Sequence, residues 1–204
     1  WRSWPRPAWP MSSPSCSTVP TARPTPSGKT TTSAKLAKLL KEQKKKLPFS
    51  LYVVNSVQEE IGLRGAEMIS RRLKPDVAIC CDVIHDTQSP MYNKKTDGDL
   101  ACGRGPVLTY GPAVQNNLLN FMIDVCTEKK IPFQRAAASR STGTDTDSFA
   151  YATEGVASAL ISLPLKYMHT TVETVHKDDV QAVIQLIYAS LLALKGNEDW
   201  RYIK

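Results

Sequence analysis

The stretch LYVVNSVQEEIGLRGAEMISRRLKPDVAICCD, residues 51–82, decides the fold. Its first part is apolar and β-branched, which predicts a buried strand over Phe49–Val54. The acidic pair Glu59-Glu60 then forms a turn, and the segment after it predicts a helix over Leu63–Leu73. A second apolar run ends on Asp82. This order of strand, turn, helix and strand is typical of α/β folds, which place their sites at the carboxyl ends of strands.

The rest of the chain continues the alternation of strands and helices. The further predicted strands are Val77–Cys81, Val107–Tyr110, Phe133–Ala137 and Val156–Leu163. The further predicted helices are Ser33–Lys46, Pro112–Lys129, a short one ending at Tyr151, and Lys177–Leu194. A long polar loop is expected over Ile84–Arg104, and loops of this length usually have a function or are mobile. The alternation implies an α/β protein, a three-layer α/β/α sandwich with a largely parallel central sheet.

Composition narrows the functional classes. The chain has 204 residues, of which 42% are hydrophobic, and this is enough for the core of one domain with an appendage. No apolar run approaches the length of a membrane span, so no membrane partner is expected. The five cysteines are odd in number and form no CxxC pair, which favours reduced thiols in a cytoplasmic protein over disulfides.

Charge is distributed unevenly along the chain. Residues 1–47 carry a balance of +9, whereas residues 48–204 carry −2, so the basic total does not indicate a nucleic-acid partner. Residues 1–32 are rich in Pro, Ser, Thr and Arg and show no apolar periodicity. We expect that segment to be disordered or an artefact of gene prediction, and residues 33–204 to form part of a catalytic domain.

Four side chains near the predicted strand ends suit metal-dependent hydrolysis. Glu60, Asp82 and His169 are metal-ligand types, and Glu59 lies where a general base is needed. Each signal is weak alone, because an acidic pair before a glycine is usually a solvated turn and a lone loop histidine is usually ordinary. His85 and His176 are interpreted as ordinary histidines, and Asp145 and Asp147 either cap the following helix or belong to the site.

Five separated motifs occur together in this chain. They are Val57-Gln58-Glu59-Glu60-Ile61-Gly62-Leu63-Arg64-Gly65-Ala66, Cys81-Asp82-Val83, Gly103-Arg104-Gly105-Pro106, Gly143-Thr144-Asp145 and Pro164-Leu165-Lys166-Tyr167-Met168-His169. From about Leu36 onward, their order and gaps resemble the glutamyl and leucyl aminopeptidases that assemble as tetrahedral (TET) particles. The gaps that agree include 22 residues from Glu60 to Asp82 and 87 from Asp82 to His169.

The resemblance implies a zinc-exopeptidase-like fold and a pair of divalent metal ions, zinc or cobalt. It implies that Glu59 is the general base, that Glu60 and His169 hold one metal, and that Asp82 holds the other. It also implies a peptide substrate, which loses its N-terminal residue, and a homo-oligomer.

The chain departs from the family pattern upstream of these motifs. The family also needs an upstream histidine and an aspartate that bridges both metals, expected here near Gly28–Thr32. No Asp, Glu or His precedes Glu42 in this sequence. The resemblance therefore covers a C-terminal half with the N-terminal part truncated. We expect either an aminopeptidase impaired by two missing ligands or a non-catalytic scaffold that keeps the fold.

Overall fold

The structure is a computed structural model that describes residues 28–201, so most of the expected irregular segment lies outside the described residues. Its helices are α1 (Gly28–Glu42), α2 (Arg64–Leu73), α3 (Lys94–Asp97), α4 (Asn116–Lys129), α5 (Asp145–Ala150) and α6 (Lys177–Ala193). Its strands are β1 (Val77–His85), β2 (Val107–Tyr110), β3 (Gln134–Ala137), β4 (Ala157–Lys166) and β5 (Thr174–Val175). The predicted alternation of helices and strands is confirmed from Arg64 onward, but the short α3 and β5 lie in segments that were predicted as loops.

The strands form one mixed sheet in the order β1-β4-β2-β3, with β5 pairing to β4. The pairs β1/β4 and β2/β3 are parallel, and the first of them runs in register from Val77 against Ala157 to His85 against Leu165. The contacts of β4 with β2 and β5 are short and antiparallel. The sheet is therefore largely parallel by paired length, as predicted, with an antiparallel junction between its two halves.

Helices cover the sheet on both faces. Helix α4 contacts β2 and β4, α6 contacts β4 and α4, and α1 packs against α6. Their apolar faces and β4 form the main core, which includes the fully buried Leu108, Leu118, Met122, Ile161 and Leu186. On the other side, α5 contacts β1 and β4, and α2 packs on α5, above a smaller cluster around Ala78. These three layers hold the carboxyl ends of β1 and β4 beside each other.

Two helices begin at other residues than predicted. Helix α1 is already formed at Gly28, before the expected Ser33, because Thr32 and Leu36 are both buried one turn apart and extend its packed face. Helix α4 begins after the predicted Pro112, because the Gln115 side chain accepts hydrogen bonds from two backbone N–H groups of the first turn and caps the helix there.

The predicted strand Phe49–Val54 is wrong. Residues 51–56 are irregular, and no backbone hydrogen bond between described residues involves Leu51–Val54. The side chains from Leu51 to Val54 are 37–63% exposed. A β-branched segment becomes a strand only where another strand pairs with its backbone, and within the described residues none does.

Strand β1 was predicted to end at Cys81 but is longer than that. The strand continues to His85, because β4 extends to Lys166 and supplies backbone partners for Val83, Ile84 and His85. Asp82 therefore lies inside the strand, opposite Ser162 of β4, and not beyond its end.

Two further findings concern the class of protein. No disulfide joins the cysteines of the described part of the chain. Burial raises the pKa of the Cys126 thiol to about 11, which makes this cysteine an unreactive core residue. Among residues 28–201, no helix is both long enough and apolar enough to cross a bilayer.

Candidate active site

The Glu59-Glu60 pair lies in a closed backbone turn between the irregular segment and α2. Nested N–H···O=C hydrogen bonds of 3.0–3.3 Å close the turn, joining Val57 to Gly65, Gln58 to Arg64, and Glu59 to Gly62 and Leu63. Gln58 and Leu63 adopt left-handed backbone angles, with φ of 61° and 55°. Non-glycine residues rarely take this conformation without support, so the turn holds a strained shape, in which Glu60 is exposed and Glu59 is half-buried.

Gly65 allows this turn to close. A Cβ atom added at Gly65 would lie 2.4 Å from the backbone oxygen and 2.5 Å from the backbone nitrogen of Val57. Any larger residue would push the two ends of the turn apart, because both contacts are to backbone atoms that cannot rotate away. The glycine in the sequence motif is therefore required by the close approach of two backbone segments.

His169 lies in a second strained loop, directly after β4. Tyr167 and His169 both have φ of 61°, and the Thr170 N–H donates to the Tyr167 carbonyl at 3.2 Å. The His169 backbone N–H donates to Glu173 Oε1 at 2.7 Å, which fixes the backbone from which the imidazole projects. Left-handed non-glycine residues thus occur in both loops that carry predicted metal ligands.

The structure brings Glu60 and His169 together. Glu60 Oε2 lies 3.4 Å from His169 Nε2, and the two side chains are 73% and 70% exposed. Carboxylate and imidazole at this separation are suited to sharing a divalent cation, with open positions for water or substrate. This contact joins two distant parts of the sequence at the carboxyl edge of the sheet.

Asp82 does not join that pair. It is only 8% exposed, and its Oδ1 accepts a hydrogen bond of 2.8 Å from the N–H of Val83. No group of three or more His, Cys, Asp or Glu side chains in residues 28–201 is arranged to hold a metal ion. The donor chemistry of Glu60 and His169 thus fits a divalent metal, but the number of donors that the described residues bring together falls short of a complete site.

Asp145, which the sequence leaves as either a helix cap or a site residue, contacts the segment that enters the Glu59-Glu60 turn. Ser56 Oγ donates a hydrogen bond to Asp145 Oδ2, while Asp145 Oδ1 is buried and has no hydrogen-bond partner among the described residues. Burial raises the pKa of the nearby Cys80 thiol to about 12, and the Asp145 and Asp82 carboxylates add to this rise. Asp145 therefore ties the segment entering the Glu59-Glu60 turn to the face of β1 that carries Cys80 and Asp82.

The loop between β1 and β2 is organised by a buried aspartate, Asp86, which is 1% exposed. Its carboxylate accepts hydrogen bonds from the backbone N–H groups of Gln88 at 2.7 Å and Cys102 at 2.9 Å, and Lys166 Nζ lies 3.9 Å away. Burial alone would raise its pKa, but these donors and the ammonium group lower the pKa below its usual 3.8. Asp86 thereby links the long loop to the strand that precedes His169.

A second buried aspartate, Asp179 in the first turn of α6, fixes the Gly103-Arg104-Gly105-Pro106 motif. Its two carboxylate oxygens each accept a 2.7 Å hydrogen bond, one from the Gly103 N–H and one from the Gly105 N–H. A Cβ added at Gly105 would lie 2.2 Å from the carbonyl oxygen of Pro132. The sequence signal for this contact was the glycine pair itself, but nothing local pointed to a partner 74 residues away.

The remaining candidates have structural roles. Thr144, and neither Asp145 nor Asp147, is the N-cap of α5, and Asp147 accepts hydrogen bonds from the backbone of Thr142 and Gly143 in the preceding loop. His176 caps α6, and Nδ1 of His85 is 2.7 Å from the Tyr92 hydroxyl. The interpretation of both histidines as ordinary residues agrees with these contacts.

The fold and the site define an α/β protein with a carboxylate and an imidazole at the carboxyl edge of its sheet. Residues 31–186 match the M42 glutamyl aminopeptidase family. The chain belongs to the M42 glutamyl aminopeptidase family, a family of peptidases. This confirms the resemblance found in the sequence and the expected hydrolase class.

Similar proteins support the assignment. The chain is 41% identical over 145 residues to the lysyl aminopeptidase of Pyrococcus furiosus, covering 71% of this chain and 41% of that relative. It resembles a TET aminopeptidase from a marine sediment Thaumarchaeota archaeon with a TM-score of 0.73 at 27% identity, over 82% of this chain and 46% of that one. It also resembles the TET1 peptidase of Pyrococcus horikoshii, with a TM-score of 0.54 at 28% identity, over 66% and 38%. The chain thus spans less than half the length of these relatives.

Proposed function

We propose that this chain carries part of the site of a metal-dependent aminopeptidase that removes N-terminal residues from peptides. The observation that supports this most directly is the 3.4 Å contact between Glu60 and His169, with Glu59 in the same closed turn. Membership of the M42 family supports the peptidase class. The nature of the metal, zinc or cobalt, and the binding of two ions remain parts of the proposal.

Each side chain has a role in this proposal. Glu60 and His169 would hold one divalent ion, and by resemblance Asp82 would hold a second. When bound, such an ion polarises a carbonyl group and lowers the pKa of a coordinated water. Glu59 takes the proton from the attacking water and returns it to the leaving amine, as a carboxylate beside a metal site does. The exposure of Glu60 and His169 leaves room for a peptide to reach them.

Hydrolysis of a panel of aminoacyl anilides, with added zinc or cobalt, tests the peptidase proposal. Glu59→Gln removes the base while keeping its shape, so any turnover should fall by about 100-fold or more. The matched control is Glu128→Gln, because Glu128 is exposed at the end of α4 and forms an ion pair with its neighbour Lys129. Turnover that survives Glu59→Gln, or that is unaffected by a chelator, would refute the proposed base and metal.

Metal binding by calorimetry tests the ligand pair separately from turnover. His169→Gln should weaken cobalt or zinc binding by at least about tenfold, because it removes one of two paired donors. His85→Gln is the control, since His85 contacts Tyr92 and lies outside the pair. Equal metal affinities of His169→Gln and His85→Gln would show that His169 is not a metal ligand.

A second candidate is a non-catalytic subunit that keeps the fold. The absence of a three-donor group among the described residues favours it. It predicts less than one bound metal per chain by elemental analysis together with stable assembly in sizing experiments. For either candidate we propose a homo-oligomer, because the related TET1 peptidase assembles into a tetrahedron or an octahedral shell.

A further inference from the structure

The segment that enters the Glu59-Glu60 turn is tied to the fold through a side chain. From Leu51 to Ser56, no backbone hydrogen bond is formed among the described residues, so the backbone of this stretch does not fix where the turn begins. The Ser56 hydroxyl instead donates a hydrogen bond to Asp145 Oδ2, 89 residues further along the chain. Because Ser56 directly precedes Val57, the first residue of the closed turn, this bond fixes the point from which the turn starts.

The acceptor of this bond lies on a well-anchored helix. Helix α5 contacts β1, β4 and α2. The Thr144 side chain caps it by accepting a hydrogen bond from the Thr146 N–H at 3.2 Å, and Thr146 is fully buried. Asp147 accepts hydrogen bonds from two backbone N–H groups of the preceding loop. The position of Asp145 is therefore set by contacts outside the Glu59-Glu60 turn.

The Asp145 carboxylate is not used by its own helix. Thr144 caps α5 and Asp147 fixes the preceding loop, so neither task is left for Asp145. Oδ1 of Asp145 is buried and has no hydrogen-bond partner among the described residues. A buried carboxylate oxygen without a partner lowers stability, so stability alone does not account for an aspartate at this position. What the carboxylate provides is an acceptor for Ser56.

A second side chain of the same helix contacts the other end of the turn. Ser148 Oγ donates a hydrogen bond to the carbonyl oxygen of Leu63 at 3.4 Å, and Leu63 is the N-cap of α2. Residues three positions apart lie on the same face of a helix, so Asp145 and Ser148 approach the turn from one side. One face of α5 therefore contacts both the residue before the turn and the residue at which the turn passes into α2.

We propose that Asp145 is a positioning residue for the Glu59-Glu60 turn, acting through its hydrogen bond with Ser56. The turn needs such support because two of its non-glycine residues hold left-handed backbone angles. Without the bond, the strained turn relaxes, and Glu60 loses its 3.4 Å approach to His169. The consequence for catalysis rests on the proposed function, in which Glu59 is the base, whereas the effect on the turn does not.

Hydrogen exchange of the full chain without added metal tests the positioning independently of catalysis. The amides of Gly62, Leu63 and Gly65 close the turn, so their exchange rates report its opening. Ser56→Ala and Asp145→Ala should each speed exchange at these amides by at least about tenfold, because each removes a hydrogen bond to a charged acceptor. Asp145→Asn keeps an acceptor oxygen and Ser56→Thr keeps the hydroxyl donor, so both should retain most of the protection.

A double-mutant cycle shows whether the two side chains act together. Combining Ser56→Ala with Asp145→Ala should change the exchange rates of either single variant by less than about twofold, because both remove the same bond. Ser158→Ala is the control, since it removes a hydrogen bond to the Val156 carbonyl at the amino end of β4 and should leave the turn amides unchanged. Ser56→Ala tests the same bond if Asp145→Ala does not fold.

Two results would overturn the positioning role. The first is unchanged exchange of the turn amides in Ser56→Ala, which would show that the hydrogen bond does not hold the turn. The second is equal acceleration in Asp145→Asn and Asp145→Ala, which would show that the charge of Asp145 matters and not its bond with Ser56.

Kinetics of aminoacyl anilide hydrolysis connect the turn with the proposed function. Ser56→Ala should lower kcat by about tenfold or more while KM changes less than about twofold, because a misplaced base affects the transition state more than substrate binding. Turnover that falls in Glu59→Gln but not in Ser56→Ala would reject the positioning role and leave the proposed function standing. Faster exchange of the turn amides in a chain that shows no turnover dependent on Glu59 would reject the proposed function and support the positioning of the turn.

Discussion

Strand β4 and the segment Leu51–Val54 are both largely apolar but have opposite surroundings. β4 pairs with β1, β2 and β5, and its residues from Ser158 to Leu165 are buried. Within the described residues, Leu51–Val54 has no paired backbone, and its side chains are exposed. Apolar composition alone therefore does not make a segment a strand. The segment also needs a neighbouring strand that pairs with its backbone and side chains that pack against it.

The same contrast separates the acidic residues of the two regions. Asp86 and Asp179 lie in the well-paired region, are 1% exposed, and accept backbone hydrogen bonds that fix the loop between β1 and β2. Glu60 lies in the turn that follows the exposed segment Leu51–Val54 and is itself largely exposed. We therefore expect substitutions in the first region to lower the free energy of unfolding, and substitutions in the second to change binding more than stability.

Gly105→Ala should have the largest effect on stability. The new Cβ would meet the Pro132 carbonyl oxygen at 2.2 Å, and the residue has φ of 89°, which alanine adopts only with strain. We expect a loss of about 3 kcal/mol in the free energy of unfolding, measured with urea. Gly143→Ala is the control, because its φ of 67° carries the strain but no atom lies within 4 Å of its added Cβ. Equal losses would show that conformational strain, and not the backbone contact, dominates at Gly105.

Asp179→Ala should rank second, with a loss of about 2 kcal/mol. The substitution leaves the Gly103 and Gly105 N–H groups without their acceptor in a buried setting, where an unpaired polar group is costly. Asp179→Asn keeps one acceptor oxygen, so it should lose less than the alanine variant. A stability of Asp179→Ala within 0.5 kcal/mol of the original chain, about the scatter of surface substitutions, would mean that water replaces the carboxylate.

The contacts of Gly105 with Pro132 and of Asp179 with the glycine motif could not be predicted from the sequence. Apart from the short α3 and β5, the helices and strands from Arg64 onward followed from apolar periodicity, and the turn carrying Glu59 followed from the acidic pair and its glycines. Asp179 and Asp145 were missed as structural partners, because their contacts join residues far apart in the chain and leave no local pattern. The strand over Phe49–Val54 was predicted wrongly, because the composition of a segment does not show whether another strand pairs with its backbone.

The pH dependence of stability tests Asp86. Its pKa is lowered in the folded state, so it stabilises the fold above the unfolded value of 3.8 and loses that contribution as the pH falls through the folded pKa. Asp86→Asn should lower the melting temperature at pH 7, by an amount corresponding to about 1–2 kcal/mol, and should flatten its dependence on pH below 4. Asp124→Asn, at an exposed position on α4, should do neither. If the melting temperatures of the original chain and of Asp86→Asn fall in parallel below pH 4, acid unfolding is caused by other carboxylates.

Gly65→Ala should have the smallest effect on global stability and the clearest effect on the site. The added Cβ would lie 2.4 Å from the Val57 backbone oxygen, so the turn must open. Because the turn borders the exposed segment Leu51–Val54, few contacts resist this opening. We therefore expect a loss below about 1 kcal/mol in the free energy of unfolding. Opening moves Glu60 away from His169, so cobalt binding should weaken at least as much as in His169→Gln. A loss as large as that of Gly105→Ala would place the turn within the well-paired region and remove the contrast between the two parts of the molecule.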